Sequence, residues 1–232
     1  MAGMATYMGT MGLSARSYRN IIGANDRVNV GVIGFSDRFR SSLLPSFVNL
    51  HKELNFDMVA VSDIWKKRRE DGQAYLKQQL GHDITACVNN EALYDLKNID
   101  AVIISTADFQ HALHTVEAVK AGKDTYTEKP LAETMEDARA VLKAVKDSGK
   151  IVQIGSQRRS GATYKAAYDF IQEGKFGSIV MVELIWNVNQ PGRWRRPSLV
   201  PQLKEEDTDW KRFLLNRPFE KFDPRKYLEF RL

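Results

Sequence analysis

From Val28 onward the chain alternates short runs of β-branched residues with longer amphipathic stretches, and few folds other than βαβ units around a parallel sheet accommodate that pattern. Strands are predicted at residues 28–33, 58–62, 101–105, 125–127 and 151–154, with a short weak one near 86–88. Helices are predicted over 41–53, 66–80, 109–121 and 134–148. The run at 101–105 is almost continuously apolar, as a central strand covered on both faces requires. In the helix after it, Ala112, Leu113, Val116 and Val119 recur at helical spacing up to Gly122, which suits a left-handed cap. Thr134 opens the last of these helices, with Glu136 and Asp137 placed where carboxylates oppose the positive end of the dipole. The expected fold class is α/β, a Rossmann-type doubly wound parallel sheet over residues 28–155.

After Gly155 the pattern changes. A helix over 164–173, capped by Gly174, and a longer strand over 179–188 are read as the incomplete start of an α+β substrate-binding domain at 156–232. An unpartnered strand there would leave an edge and an apolar face uncovered, so a homo-oligomer formed through the second-domain sheet is the expected remedy. Residues 1–27 read as a flexible tail or the remnant of an export signal, and a cytoplasmic or exported location follows from which of the two holds.

The 34 Lys and Arg against 29 Asp and Glu leave a net charge of +5, but the basic residues fall in short groups such as Lys66 to Arg69 without any recognition motif. No nucleic-acid partner is expected. No stretch reaches the roughly 18 uninterrupted apolar residues of a membrane helix, so no integral span is expected either. With Cys87 as the single cysteine and no Cys/His cluster, neither a disulfide within the chain nor a metal site is predicted.

The first strand runs into Gly34-Phe35-Ser36-Asp37-Arg38-Phe39, where a dinucleotide fold carries its glycine-rich turn. Of the three glycines of that turn only Gly34 is kept; Ser36 holds the close-approach position and Phe39 the helix-packing position. Serine adds a β-carbon but also a hydroxyl donor, and the helix amino end still offers free amides to a phosphate. The second strand ends at Asp63, where a carboxylate accepts from adenosine ribose hydroxyls and repels a 2′-phosphate, which favours NAD. NADP is the alternative, through Lys66, Lys67 or Arg68. Ser105, Thr106 and His111 lie at or just beyond the carboxyl end of the most apolar strand, facing the crevice where open α/β sheets bind ligands.

Glu128-Lys129-Pro130 follows the strand at 125–127, and with it the chain resembles the Gfo/Idh/MocA oxidoreductases, the family of glucose-fructose oxidoreductase and inositol dehydrogenase. The resemblance runs through His111, Ala118, Gly122, Lys123, Glu128, Lys129, Pro130, Leu131, Ala132, Gln153, Gly155, Gln157, Arg158 and Arg159. It implies that Lys129 lies by the nicotinamide and the substrate hydroxyl as the catalytic cation, and that Gly34, Phe35, Ser36, Asp37, Arg38, Asp63, Ser105, Thr106, His111, Glu128 and Gln157 bind the cofactor. Ala107 and Asp108 replace the Pro and Asn of the family's Thr-Pro-Asn-x-x-His pattern, and no Asp-x-x-x-His pair of a second domain precedes Leu232. The expected activity is hydride transfer between NAD and a secondary alcohol of a sugar, inositol or similar polyol. A redox-assisted glycosidase and a truncated, inactive nucleotide-binding fragment are the two competing readings, the last of which binds NAD weakly and turns nothing over.

Overall fold

The computed structural model describes residues 27–185, 187, 189, 192, 193 and 195–230. Of the residues on which a flexible tail or export signal is expected, 1–26 lie outside them.

Strands β1 (Val28–Ile33), β2 (Phe56–Ser62), β3 (Thr85–Cys87), β4 (Ala101–Ile104), β5 (Asp124–Thr127) and β6 (Val152–Ile154) form one sheet in the order β3-β2-β1-β4-β5-β6. Every pairing is parallel. The order reverses between β1 and β4, so the connections leave a crevice at the carboxyl ends of those two strands. Helix α1 (Leu44–Leu50) is entered through a π-helical turn at Phe39–Leu43, and α2 (Lys66–Leu80) joins β2 to β3. Then come α3 (Asn90–Tyr94), α4 (His111–Lys120) and α5 (Met135–Ser148). Helix α6 (Ala162–Gln172), α7 (Trp210–Leu214) and α8 (Pro224–Leu228) follow the sheet.

Both faces of the sheet are covered, which is why its central strands are apolar throughout. On one face Val30, Val32, Met58 and Val61 pack with Phe39 of the π-helical turn and with Leu44, Phe47 and Leu76 of the first two helices. On the other, Ile33, Val59, Val102 and Ile104 pack with Leu93 and Ala118. A bulge between Val30 and Gly31 shifts β1 by one residue against β2. Gly31 lets Leu93 press directly on β1, since a β-carbon there would stand 2.8 Å from Leu93 Cδ2. Each such fully buried aliphatic side chain stabilises the fold by about 1.5–3 kcal/mol. At the amino ends of the strands, the buried Lys123 Nζ donates to the carbonyls of Leu96 (3.2 Å) and Ile99 (2.9 Å), closing the loop before β4.

Two expectations change. Among the described residues the strand expected over 179–188 is not formed: residues 178–185 have no regular structure, with Val180 94% and Leu184 92% exposed. β-Branched composition favours an extended backbone, but a strand exists only where a neighbour completes its hydrogen bonds, and no described strand pairs with this segment. Conversely, residues beyond 200, where no periodicity was visible, fold back on the sheet. Trp210, Phe213 and Leu214 bury themselves against Ala107 and Phe109 at the end of β4.

Phe39 shows why the third glycine of the dinucleotide turn is dispensable here. Its ring is fully buried, 5.8 Å from that of Phe35, and fills the space between α1 and α2. Phe39→Gly, which restores that glycine, is accordingly expected to lower unfolding free energy by about 3–5 kcal/mol, measured by urea denaturation; an unchanged midpoint would contradict this packing role.

Candidate functional site

The turn after β1 is built by a few hydrogen bonds that leave others unmade. Gly34 takes a φ of +86°, and its amide donates to the Ser62 carbonyl (2.9 Å). A β-carbon at Gly34 would also meet the Ser105 carbonyl oxygen at 2.8 Å, so the left-handed conformation and the close approach both require glycine. The Phe35 amide donates to Asp63 Oδ2 (2.9 Å), and the Phe39 amide to Ser36 Oγ (3.2 Å). Ser36 Oγ also shares a hydrogen bond with Ser105 Oγ (2.7 Å), stapling the turn to the end of β4. Among the described residues these bonds leave the amides of Ser36, Asp37 and Arg38 without an acceptor at the amino end of a helix, an arrangement that receives anions.

Asp63 is buried, with Oδ1 accepting from the Trp65 amide (2.9 Å) and from the Tyr227 hydroxyl (3.4 Å). Burial pushes its carboxyl above the usual range despite the nearby Arg68 and the two backbone donors. Asp37 behaves oppositely. Burial opposes its ionisation, yet Arg68 (3.3 Å) and Arg196 (3.0 Å) outweigh this and hold its carboxyl below the ordinary value. The two arginines cancel a carboxylate that would otherwise repel a phosphate at the turn.

At the end of β4, Ser105 is buried and Thr106 Oγ1 is buried without a hydrogen-bond partner. Gln110 donates from Nε2 to the Phe213 carbonyl (2.7 Å) and accepts from the Ala107 amide (3.2 Å). His111 stands behind this wall. Its Nδ1 lies 2.7 Å from the Pro130 carbonyl oxygen and its Nε2 3.3 Å from that of Thr106, so the ring ties the β4 loop to the β5 loop. A neutral imidazole has one N–H, which the shorter contact assigns to Nδ1. Burial lowers the His111 pKa even though both carbonyls favour the cation.

After β5, the buried Glu128 accepts from Arg38 (3.1 Å) and, through the same Oε1, from Gln157 Nε2 (2.6 Å). Gln157 Nε2 also donates to the Tyr126 hydroxyl oxygen (3.0 Å). Lys129 is exposed and precedes a cis peptide bond to Pro130.

Gly34, Ser36, Asp37, Arg38, Asp63, Ser105 and Thr106 line one cavity of about 190 Å³. Phe35 reaches it only through its backbone, because its ring packs among the core residues beside Gly72. His111 supports the cavity from outside, while Glu128 and Gln157 connect to it through Arg38, and Lys129 does not line it. Sequence reasoning missed Asn90, Gln110, His114, Arg212 and Tyr227 as lining residues, and Arg196, from the basic group Arg193, Arg195 and Arg196, lines the cavity with them. His114 carried a readable signal, sitting one helical turn from His111; its Nδ1 meets Asn90 Nδ2 (3.0 Å) and Glu117 Oε2 (3.2 Å). Tyr227 and Arg212 carried none, since only tertiary folding returns them to the sheet.

Comparison with known proteins agrees with this geometry. The model of the Gfo/Idh/MocA oxidoreductase family, described as an NAD-binding Rossmann fold, matches residues 28–156, more than half of the chain. The 1,5-anhydro-D-fructose reductase of Ensifer adhaerens is 32% identical over 157 residues, covering 63% of this chain and 46% of the relative. An inositol 2-dehydrogenase of Salmonella typhimurium is 32% identical over 197 residues, 83% of this chain and 54% of the relative. The chain spans about half the length of the curated relatives it matches. Among solved structures, the myo-inositol 2-dehydrogenase from Lactobacillus plantarum superposes with a TM-score of 0.55 at 25% identity, over 66% of this chain and 43% of that one. The WlbA dehydrogenase from Bordetella pertussis, solved with NADH and UDP-GlcNAcA, shares the fold with a TM-score of 0.57 at 22% identity, over 65% and 43% of the two chains.

The buried His111 makes a pH dependence testable. A histidine held below its ordinary pKa of 6.5 contributes stability above that pH, and the contribution is lost as pH falls from 6.5 through its lowered value. His111→Asn keeps an amide donor for Pro130 without the titration. Urea midpoints measured at pH 7 and below 6 are expected to fall less in this variant than in the wild type, and identical slopes would reject the assignment.

Proposed function

Because this chain belongs to the Gfo/Idh/MocA oxidoreductase family, we propose that it is the nucleotide-binding part of an NAD(P)-dependent enzyme that moves hydride to or from a secondary alcohol of a sugar, inositol or similar polyol. Residues 28–155 form the dinucleotide-binding domain in this reading, and the segment from 156 onward belongs to the substrate side. The observation that carries it is the joint between Gly34 and Asp63: a left-handed glycine turn with unpaired amides beside it, and a buried carboxylate held by the next amide, both at the strand-order reversal. Three features of the cavity fit a dinucleotide. The free amides of residues 36–38 suit a pyrophosphate, Asp63 suits ribose hydroxyls, and Thr106 Oγ1 lacks a partner.

NAD is favoured over NADP on two counts. Asp63 disfavours a 2′-phosphate. Arg68, the best-placed cation, already donates to the Phe35 carbonyl (2.8 Å) and to Asp37.

The nicotinamide, when bound, supplies the hydride chemistry. The chain's residues position and protonate. Glu128 orients the cofactor end through its bonds with Arg38 and Gln157, and Lys129 stabilises or relays the proton of the alcohol oxygen. The exposed apolar residues Val180 and Leu184 support association of copies through the 179–185 segment.

Calorimetry with NAD tests the binding half, with Asp63→Asn expected to weaken affinity about tenfold or more, since each charge-assisted bond contributes about 1.5–3 kcal/mol. The chemical half is tested by following NADH formation with myo-inositol, free sugars and nitrophenyl glycosides. Lys129→Met is expected to slow NADH formation by about 10²–10⁴-fold while leaving NAD affinity within about twofold. Binding of NAD with no reduction by any polyol or sugar would overturn the activity, and nitrophenol release would replace it with glycoside cleavage.

A further inference from the structure

Residues 208–230 lie as a strap across the carboxyl ends of β2, β1 and β4. One end is firmly attached. Thr208 bridges to Trp65, and the Asp209 amide donates to the Ile64 carbonyl (3.1 Å). Arg212 Nη2 bonds Glu91 (2.9 Å) and Glu117 (2.8 Å), and the Phe213 ring meets Phe109 edge-on at 5.4 Å. The other end, α8, joins the same aromatic cluster, with the Tyr227 ring 4.9 Å from Phe213 and Phe230 6.3 Å from Phe109. Its hold across the cavity is polar: the 3.4 Å bond from Tyr227 to Asp63, the pairing of Glu229 with Arg195 (3.1 Å) and the Arg196 amide (2.7 Å), and the bond of Arg196 to Asp37. Tyr227, Leu228, Glu229 and Phe230 form the wall that faces the glycine turn.

The space beneath this wall is too small for the proposed cofactor. Cavities that bury drug-sized ligands occupy about 300–1,000 Å³, whereas this one has about 190 Å³, and a dinucleotide is larger than most such ligands. The chemistry conflicts as well. Both Asp63 oxygens accept backbone amides, and Tyr227 takes the remaining capacity of Oδ1, leaving one acceptor site on Oδ2 for the pair of ribose hydroxyls. Burial keeps the Tyr227 hydroxyl protonated, well above its ordinary range, so it acts as the donor.

We propose that α8 is a gate on the cofactor cleft, closed by Tyr227 on Asp63, and that a dinucleotide enters by displacing that hydroxyl and moving α8 outward while α7 stays anchored. The inference rests on the dinucleotide reading above. It assigns residues far from the nucleotide fold in sequence to control of its affinity: Tyr227 as the latch, and Arg196 and Glu229 as the polar hold.

Tyr227→Phe tests the gate in the full chain, because it removes the latch while keeping the ring that packs 4.9 Å from Phe213. NADH binding is followed by its fluorescence in stopped flow and NAD binding by calorimetry, with thermal unfolding as a check on folding. The variant is expected to bind both dinucleotides about two- to tenfold more tightly, mostly through faster association, as expected for loss of one competing hydrogen bond. Equal affinity and rate in the wild type and the variant would overturn the gate and leave the dinucleotide reading intact. Weaker binding by the variant would also overturn it, making Tyr227 a ligand of the bound cofactor. Binding by neither protein would overturn the gate together with the reading beneath it.

Discussion

The bond from the Phe35 amide to Asp63 Oδ2 governs the arrangement of the whole cleft. It joins the turn after β1 to the end of β2, and it does so with a carboxylate that burial alone would discharge. Because Asp63 takes this amide and that of Trp65, the backbone on both sides of the crevice is held relative to one charge. The Gly34 conformation, the orientation of the free amides after it and the start of the π-helical turn all follow from that anchor. Losing it would release two strand ends at once, not merely one ligand contact.

Charge pairing around the crevice has the same economy. Arg68 and Arg196 share Asp37, Arg38 meets Glu128, Arg212 meets Glu91 and Glu117, and Glu229 collects Arg195 and Arg225. The net positive charge of the chain is therefore not spread over the cleft as bare cations. An anion placed at the turn would be met first by backbone amides and the helix end, and would gain arginine contacts only by competing with Asp37. Such a site selects by geometry more than by charge, since amides at fixed positions cost no reorganisation.

The doubly wound sheet was legible because its signal is local and strong. β-Branched runs bounded by helical periodicity gave all six strands to within a few residues, the weakest at Thr85–Cys87 included. Gly34 and Asp63 were legible for a similar reason: each stands at the end of a recognisable strand, and strand ends are where this topology gathers ligands. What escaped was decided at longer range. Helix α3 is five residues long, too short for a periodicity, although Asn89 caps it by accepting from the Ala92 amide. The segment at 179–185 has strand composition without a strand, because pairing is a property of two segments and no described strand lies beside it. Phe35 and Phe39 sit inside a phosphate-turn motif, yet their rings belong to the core. A spacing motif specifies the backbone path and says little about where large side chains go.

The segment after 200 makes the sharpest case. Trp210, Phe213, Phe222, Tyr227 and Phe230 keep a helical spacing only in single short pairs and follow no sustained period, so local patterning over a longer window reads them as irregular. In the fold they make one aromatic cluster, with Trp210 stacked on Phe213 at 5.0 Å and Arg217 lying 3.7 Å over the Phe109 ring. Ala107 and Phe109 supply the matching apolar ledge at the end of β4. That ledge would be exposed on the crest of the sheet without the strap, and the strap's aromatic side chains would be exposed without the ledge. The ledge and the docked remote segment are thus two halves of one packing solution, and it is this packing that brings Tyr227 within reach of Asp63.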